Sequence, residues 1–300
     1  MNPYYTDSAE YLSRYFGMCK VQKLSVNAGF SCPNRDGTIG HGGCSYCDNL
    51  TFTPAYCSAQ HSVSRQLEEG KIFFGRKYTT MRYLAYFQSY TNTYGRDTDT
   101  LRTLYEEALR IQDVIGLVIG TRPDTLQEQI IEALADINRQ YPVFVEIGAE
   151  TSSDDTLRLV NRGHTWADTC SAVRQASKAG LHVGLHLIMG LPGETPERSL
   201  QSVADACELP IESLKLHQLQ IIKGTPLHKQ WLNGEIEIHC YNLEEYLELC
   251  VRAVRIVPRN IAIERFVAQA PPDKVVSPQW GVKNYQFTQR LHKLLDKDRQ

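Results

Sequence analysis

The stretch VQKLSVNAGFSCPNRDGTIGHGGCSYCDN, residues 21–49, sets the terms for the rest of the chain. Its first six residues, Val21–Val26, alternate apolar and polar as a half-buried strand does. The strand runs into a loop kept free of regular structure by Pro33 and by Gly29, Gly37, Gly40, Gly42 and Gly43. Within that loop Cys32, Cys44 and Cys47 stand in a C-x11-C-x2-C arrangement. Isolated cysteines are usually small buried hydrophobes, which does not explain three of them amid Gly, Pro, Asn and Asp. Three thiolates on one loop suit a metal or an iron–sulfur cluster. A cuboidal four-iron cluster held by three cysteines leaves one iron open to bind a small molecule and pass it an electron. The rival reading is structural zinc, with His41 completing a Cys3His tetrahedron. Zinc loops normally carry two ligand pairs, and only Cys44/Cys47 form one here. Spacing favours the cluster and leaves zinc open.

Working outward, the chain alternates strand and helix patterns. Residues 7–18 read as a short amphipathic helix capped near Thr6 or Asp7, and 61–77 as a second helix. Strand patterns follow at Met81–Tyr90, Val114–Arg122, Val143–Glu150, Leu181–Gly190 and Ser213–Ile222. Between them, helical spacing marks residues 98–110, 124–140, 153–160, 165–179 and 195–208, with 242–256 after the last. Six strand–helix repeats in one direction mean a parallel sheet, and right-handed crossovers roll it into a barrel or part of one. In such barrels the chemistry sits at the carboxyl ends of the strands, where the cysteine loop lies.

Composition sets outer bounds. The 300 residues are 42% hydrophobic and 22% charged, with a formal charge of -2, so no global nucleic-acid signature is present. The N-terminus lacks a basic stretch followed by an apolar one, and no run reaches the length of a membrane span, which leads us to expect a cytoplasmic protein. Nine cysteines without an export signal fit a reducing compartment. Cys19, Cys57, Cys170, Cys207, Cys240 and Cys250 read as core or surface thiols, Cys57 being near enough to the loop for an accessory role.

The other strand ends are rich in binding groups: Gln88-Ser89-Tyr90-Thr91-Asn92, Thr121-Arg122-Pro123-Asp124, Gly148-Ala149-Glu150-Thr151-Ser152 with Asn161-Arg162 beyond, and GLPGET at Gly190–Thr195. Taken singly each has a structural explanation, such as helix capping by Glu150 or ion pairing by Arg162. Gathered around a cysteine triad, they describe a ligand site.

The triad, the segment IGAETSSDDTLRLVNRGHT (147–165) and the segment HLIMGLPGET (186–195) resemble the radical S-adenosylmethionine (SAM) superfamily. The two segments are similar to oxygen-independent coproporphyrinogen oxidase and to the radical domain of the Elongator catalytic subunit. Residues 4–290 resemble the small bacterial YhcC/YtqA-type proteins. The departure is the first cysteine gap, eleven residues where most of the superfamily has three; Elongator-like members also have a longer gap. The resemblance implies an α/β fold, a partial (βα)6 TIM-like barrel over 21–240, with an N-terminal extension (1–20) and a C-terminal helical or lid extension (241–300). It implies an enzyme with a [4Fe–4S] cluster on Cys32, Cys44 and Cys47 that cleaves SAM reductively to a 5′-deoxyadenosyl radical. Gln88 and Ser89 match the position that contacts the amino group of SAM, although the usual Gly-Gly-Glu is absent. Glu150 and Arg162 match residues that hold the ribose hydroxyls and the methionine carboxylate, and His186 a ribose contact. Gly190, Pro192 and Gly193 match a turn that approaches a planar ligand.

For the substrate, Elongator-like relatives point to the wobble uridine side chain of tRNA. Lys71, Arg76, Lys77 and Arg82 lie beside Phe73, Phe74 and Tyr78, a mixture suited to phosphates and a flipped base. Lys283, Arg290, Lys293, Lys297 and Arg299 add C-terminal charge, offset by Asp296 and Asp298. Solvated surface is the plain alternative for both. A reductant such as flavodoxin or ferredoxin is implied as partner. The alternatives are radical oxidation or rearrangement of a small metabolite or protein side chain, and a non-catalytic zinc or iron–sulfur module. The segment 265–276, after the apolar IAIE, reads as a lid or a seventh barrel element.

Overall fold

In the computed structural model, which describes residues 2–75 and 81–297, the six expected strands form and run parallel. They are β2 (Val21–Val26), β3 (Arg82–Phe87), β4 (Val114–Thr121), β5 (Val143–Glu150), β6 (His182–Met189) and β7 (Ser213–Gln218). Two more join them: β1 (Thr6–Asp7) and β9 (Ala262–Arg265), the latter paired between β7 and β1. The order β1-β9-β7-β6-β5-β4-β3-β2 is an eight-stranded parallel sheet curled into a half-barrel. A short antiparallel pair, β8 (Ile221–Ile222) with β10 (Val275–Ser277), stands outside it.

The helices are α1 (Ser8–Phe16), α2 (Val63–Gly75), α3 (Thr98–Leu109), α4 (Glu128–Asn138), α5 (Asp154–Leu159), α6 (Trp166–Lys178), α7 (Pro196–Cys207), α8 (Pro226–Leu232), α9 (Leu243–Ile256) and α10 (Asn284–Lys297), and of these α2, α3, α4, α6, α7, α9 and α10 pack against the convex face. Short polar side chains start them. Asp7 caps α1, Asp97 caps α3, and Thr165 and Asn242 form capping boxes with Asp168 and Glu245. Gly180 ends the α6 turn at φ +82, in the left-handed region where glycine alone carries no side-chain penalty. The basic stretch at 71–82 is described only in part: Arg76, Lys77 and Tyr78 lie outside the described residues, as do Asp298 and Arg299.

Period-two alternation decides what faces where. Val143, Val145, Ile147 and Ala149 of β5, with Val183, Leu185, Leu187 and Met189 of β6, pack outward into the main core under the helices. That core includes Tyr246, Phe287 and Leu291 of α9 and α10, so the C-terminal helices share it with the barrel. The alternate positions face the concave side, which divides into levels. At the amino ends of the strands Tyr11 and Leu12 of α1 pack with Leu84, Val118, Phe144 and Ala262, so α1 plugs the bottom. Burying such side chains contributes roughly 1.5–3 kcal/mol each.

Two expectations shift. The strand pattern at 213–222 breaks into β7 and β8: β7 ends at Gln218, whose side-chain amide donates to the Ala268 carbonyl (3.1 Å) and accepts from the Ala268 N–H (2.7 Å), and β8 pairs instead with β10. The pattern at 81–90 ends at Phe87, and Tyr90 turns the chain away at φ +62. No helix among the described residues is long and apolar enough to cross a membrane.

Candidate active site

Above the plug, one cavity of about 940 Å³ opens at the carboxyl ends of the strands, at the upper end of the range for ligand sites. Cys32, Cys44 and Cys47 line one wall, with Gln88, Glu150, Arg162 and His186 on the others. These seven sequence candidates are brought together. Ser89 is buried and turned toward Thr53 (3.3 Å), outside the lining. Gly190, Pro192 and Gly193 also stand outside it. A Cβ at Gly190 would come within 2.7 Å of the Tyr241 ring, so the close approach there is to a packed side chain. The GLPGET turn is held by Glu194, which accepts from Thr151 and from Ser199 (2.9 Å).

The cysteine loop has almost no regular structure of its own; one bridge, Asp36 to His41, is its only β pairing among the described residues. It is positioned by LVNRGHT, which lies across it as a clamp. Ser45 N–H donates to the Val160 carbonyl (2.9 Å), Asn161 Nδ2 donates to the Gly43 carbonyl (2.8 Å), and Asn34 Nδ2 donates back to the Asn161 carbonyl. Asn161 holds φ +53 to do so, and Gly163 leaves room for Ile39 and Asn34. Arg122, locked on Asp124 by two hydrogen bonds (2.9 and 2.8 Å), donates a third to the Arg162 carbonyl (2.8 Å).

Arg162 is the pivot. Its Nη1 points at Cys44 Sγ (3.4 Å), its Nη2 donates to the Gly148 carbonyl (2.7 Å) and pairs with Glu150 (3.3 Å). Glu150 sits at φ +68, an unfavoured region for a residue with a side chain, at a β5 irregularity that turns its carboxylate into the cavity. A Cβ on Gly148 would lie 2.7 Å from Glu150 Oε1 and 2.8 Å from Arg162 Nη2, so only glycine leaves the pair its place. Arg162 Nε, Arg122 Nη1 and Tyr46 OH are buried without a hydrogen-bond partner in residues that line the cavity. Unpaired buried donors at a cavity wall are groups waiting for a polar ligand.

Three thiols at one cavity wall are the kind of donor set that a cuboidal cluster with one open corner takes. Four ligands at a Zn–S distance of 2.3 Å bring sulfurs within about 4 Å of one another, whereas a cuboidal cluster spreads its corner ligands further apart. The His41 ring lies against Gly37 and does not line the cavity. Burial, then Cys44, push the Cys47 thiol up to about 12, a cost that bound iron would offset by stabilising the thiolate. Cys57 is buried off the cavity with its S–H on the Ser25 carbonyl (2.9 Å), and burial pushes it up to about 12, the setting of an inert core thiol.

Below the clamp lies a level of charge that strand patterns alone do not announce. Glu146 (2% exposed) receives Lys23 Nζ (2.6 Å), Lys215 and His186 Nε2 (3.0 Å). Lys23 also reaches Glu264 (2.5 Å), linking the β2 edge to β9 across the open side of the half-barrel. His186 therefore belongs to a strand-to-strand network as well as to the cavity wall.

The sequence profile of the Radical SAM superfamily matches residues 36–206, and that of its C-terminal domain matches 211–297. YhcC of Escherichia coli (strain K12) is 37% identical over 271 residues, 90% of this chain and 85% of that protein. A Methanocaldococcus jannaschii protein described as tRNA uridine(34) acetyltransferase is 29% identical over 200 residues, 64% of this chain but 36% of that protein. In structure, the archaeal Methanocaldococcus infernus Elp3 lacking its N-terminus superposes with a TM-score of 0.67 over 93% of this chain and 63% of that one, at 19% identity, a likeness of fold. With the half-barrel and the cavity at its carboxyl face, these matches mean that the chain belongs to the radical SAM superfamily, enzymes whose cofactors are SAM and a [4Fe–4S] cluster.

Proposed function

We propose that Cys32, Cys44 and Cys47 hold the cluster, that the cavity takes SAM, and that the substrate is the wobble uridine side chain of a tRNA. When bound, the cluster supplies the electron that cleaves SAM reductively to methionine and a 5′-deoxyadenosyl radical. The chain's own residues do the positioning. Arg162 offers its unpaired Nε to the methionine carboxylate while Nη1 stays on Cys44, which ties ligand placement to the cysteine loop. Glu150 stands beside it to accept from hydroxyl or amino groups, and Gln88, held by Ser25 (3.0 Å), presents its amide to the same space. The barrel wall and the α1 plug exclude water from below.

The observation that supports this reading is the clamp, which ties the cysteine loop to Arg162 at the wall of a large cavity. Support for tRNA is the similarity to the uridine(34) acetyltransferase, whose own length this chain covers only in part. The reaction needs a one-electron donor of flavodoxin or ferredoxin type, and both partners suit a cytoplasmic setting.

The test is anaerobic reconstitution with iron and sulfide, reduction with SAM, and assay for 5′-deoxyadenosine beside a Cys44→Ala control. Wild-type protein should form it and the control should not. Bulk tRNA should stimulate the reaction, less so at high salt, and change a wobble nucleoside by mass. Zinc uptake with intact SAM would overturn the cluster assignment, and indifference to tRNA would overturn the substrate.

A further inference from the structure

The charged level of the cavity does more than join strands. Tyr86, Glu146, His186, Lys215, His217 and Arg265 all line it, from β3, β5, β6, β7 and β9. The two carboxylates of the level, Glu146 and Glu264, are both taken by Lys23 and Lys215. That leaves Arg265 without a carboxylate partner among the described residues. Three cations, Lys23, Lys215 and Arg265, against two carboxylates leave one positive charge at the cavity, on Arg265, which is exposed to solvent. The β9 ladder is irregular at Glu264, with Lys215 opposite Arg265, so two consecutive residues turn to the same side.

His217 adds a second, independent vacancy. Its ring stacks on His186 (centroids 5.6 Å apart, 23°), and its Nε2 is buried with no partner. Burial, then the charges of His186, Arg265 and Lys215, hold it well below its ordinary range, so it is neutral and can offer Nε2–H. The chain that walls this end, Ala268 to Pro271, is pinned by Gln218 and by Gln220, whose Oε1 accepts from Ala270 N–H (3.3 Å).

Resting on the reading of the cavity as a radical SAM site, we propose that this end is a subsite for a carboxylate monoanion, gripped by Arg265 and His217. One net positive charge matches a monoanion and would be overcompensated by a phosphate dianion. The planar guanidinium pairs two-point with a carboxylate. The carboxylate has two possible sources with the same chemistry: a free small acid, or an acidic side chain already carried by the substrate nucleoside.

The experiment is calorimetric titration of the reconstituted, SAM-bound protein with two matched pairs, acetate against acetamide and 5-carboxymethyluridine against 5-carbamoylmethyluridine. At least one carboxylate should bind about tenfold or more tightly than its amide, the scale of a lost charge-assisted hydrogen bond. Preference within the first pair identifies a free acid, within the second an acid on the nucleoside. Arg265→Gln should erase the preference, and His217→Phe should reduce it. Equal binding of both members in both pairs overturns the subsite, as does a preference untouched by Arg265→Gln. Because the readout is binding, it separates from the SAM reading: wild-type protein that fails to cleave SAM yet prefers the carboxylate sinks the latter alone.

Discussion

Replacing Lys23 with methionine isolates the contact that draws the two sides of the sheet together. Lys23 stands on an edge strand and its ammonium meets Glu146 at 2.6 Å and Glu264 at 2.5 Å, carboxylates that are 2% and 7% exposed. Methionine keeps the stem and removes the charge, leaving Glu264 with Lys215 at 4.0 Å as its remaining cation in the level. Removing one partner of a buried pair costs roughly 3–5 kcal/mol. Lys23 is 19% exposed, so the lower end, about 3 kcal/mol, applies. At about 2–4 °C per kcal/mol for domains of this order, Tm should fall by roughly 6–12 °C. Anaerobic urea denaturation of the reconstituted protein measures the loss directly. Glu264→Gln, which removes the orphaned charge, should recover part of it, with a coupling above about 1 kcal/mol in the double-mutant cycle. A loss below about 1 kcal/mol, or additivity within about 0.5 kcal/mol, would refute the role of this ion pair in closing the sheet.

Gly148→Ala should lower SAM affinity at least about tenfold, ~1.4 kcal/mol, by displacing Glu150 and Arg162, while overpacking costs stability only about 1–3 kcal/mol; unchanged SAM binding would remove the pair from the ligand site. Cys57→Ser should leave iron and sulfide content after reconstitution at the wild-type value, since its thiol lies off the cavity; a drop would give Cys57 the accessory role the structure denies it. Burial, then Arg162 and Arg122, push His164 down to about 2. The unfolded chain takes up that proton below about pH 6.5 and the folded one does not. Stability is therefore complete above pH 6.5 and declines on acidification by roughly 1.4 kcal/mol per pH unit until the folded imidazole titrates. Denaturation of wild type and His164→Gln at several pH values from 7.5 to 5.5 should show a flatter dependence in the variant, and parallel curves would exclude His164 as the source.

How much of this was legible in the sequence depended on whether a signal was local. The alternation of VQKLSV and the helix cap at Asp7 act within a few residues, and β2 and α1 formed where the pattern put them, whereas the strands expected at 81–90 and 213–222 stop short of their expected ends. Cys44-x2-Cys47 was readable for the same reason. The motif LVNRGHT was readable as a likeness, but its mechanical part was not: Asn161 acts on Gly43 and Asn34, over a hundred residues earlier. Gln88 and Ser89 looked equivalent because β3 ends at Phe87, after which alternation no longer assigns faces. The charged level was missed although a trace was present. Glu146 in VFVEIGAE, and Lys215 and His217 in SLKLHQ, are polar at alternate positions of otherwise apolar strands. Such a pattern also describes a solvated face, and only the curl of the sheet, through contacts such as Lys23 with Glu264, turns that face inward.

The three levels of the concave side explain one another. The apolar plug of Tyr11 and Leu12 removes water from the bottom, and a charge next to a dry floor must be paired. Lys23, Glu146, Lys215 and Glu264 satisfy that requirement among themselves, at the expense of spanning four strands with short ion pairs. The same low dielectric stiffens the level, because moving any member strands another without a partner. Lys215 is 5% exposed, and burial brings its ammonium down to about 8 even with Glu146 beside it. This paired base beneath the clamp that carries Cys44 and Arg162 sets the distance between the cysteine wall of the cavity and the end at Arg265 and His217. Both residues line the cavity: His217 Nε2 is buried without a partner, and Arg265 is exposed. On the proposal of a carboxylate subsite, selectivity for the substrate would be set at this end of the cavity.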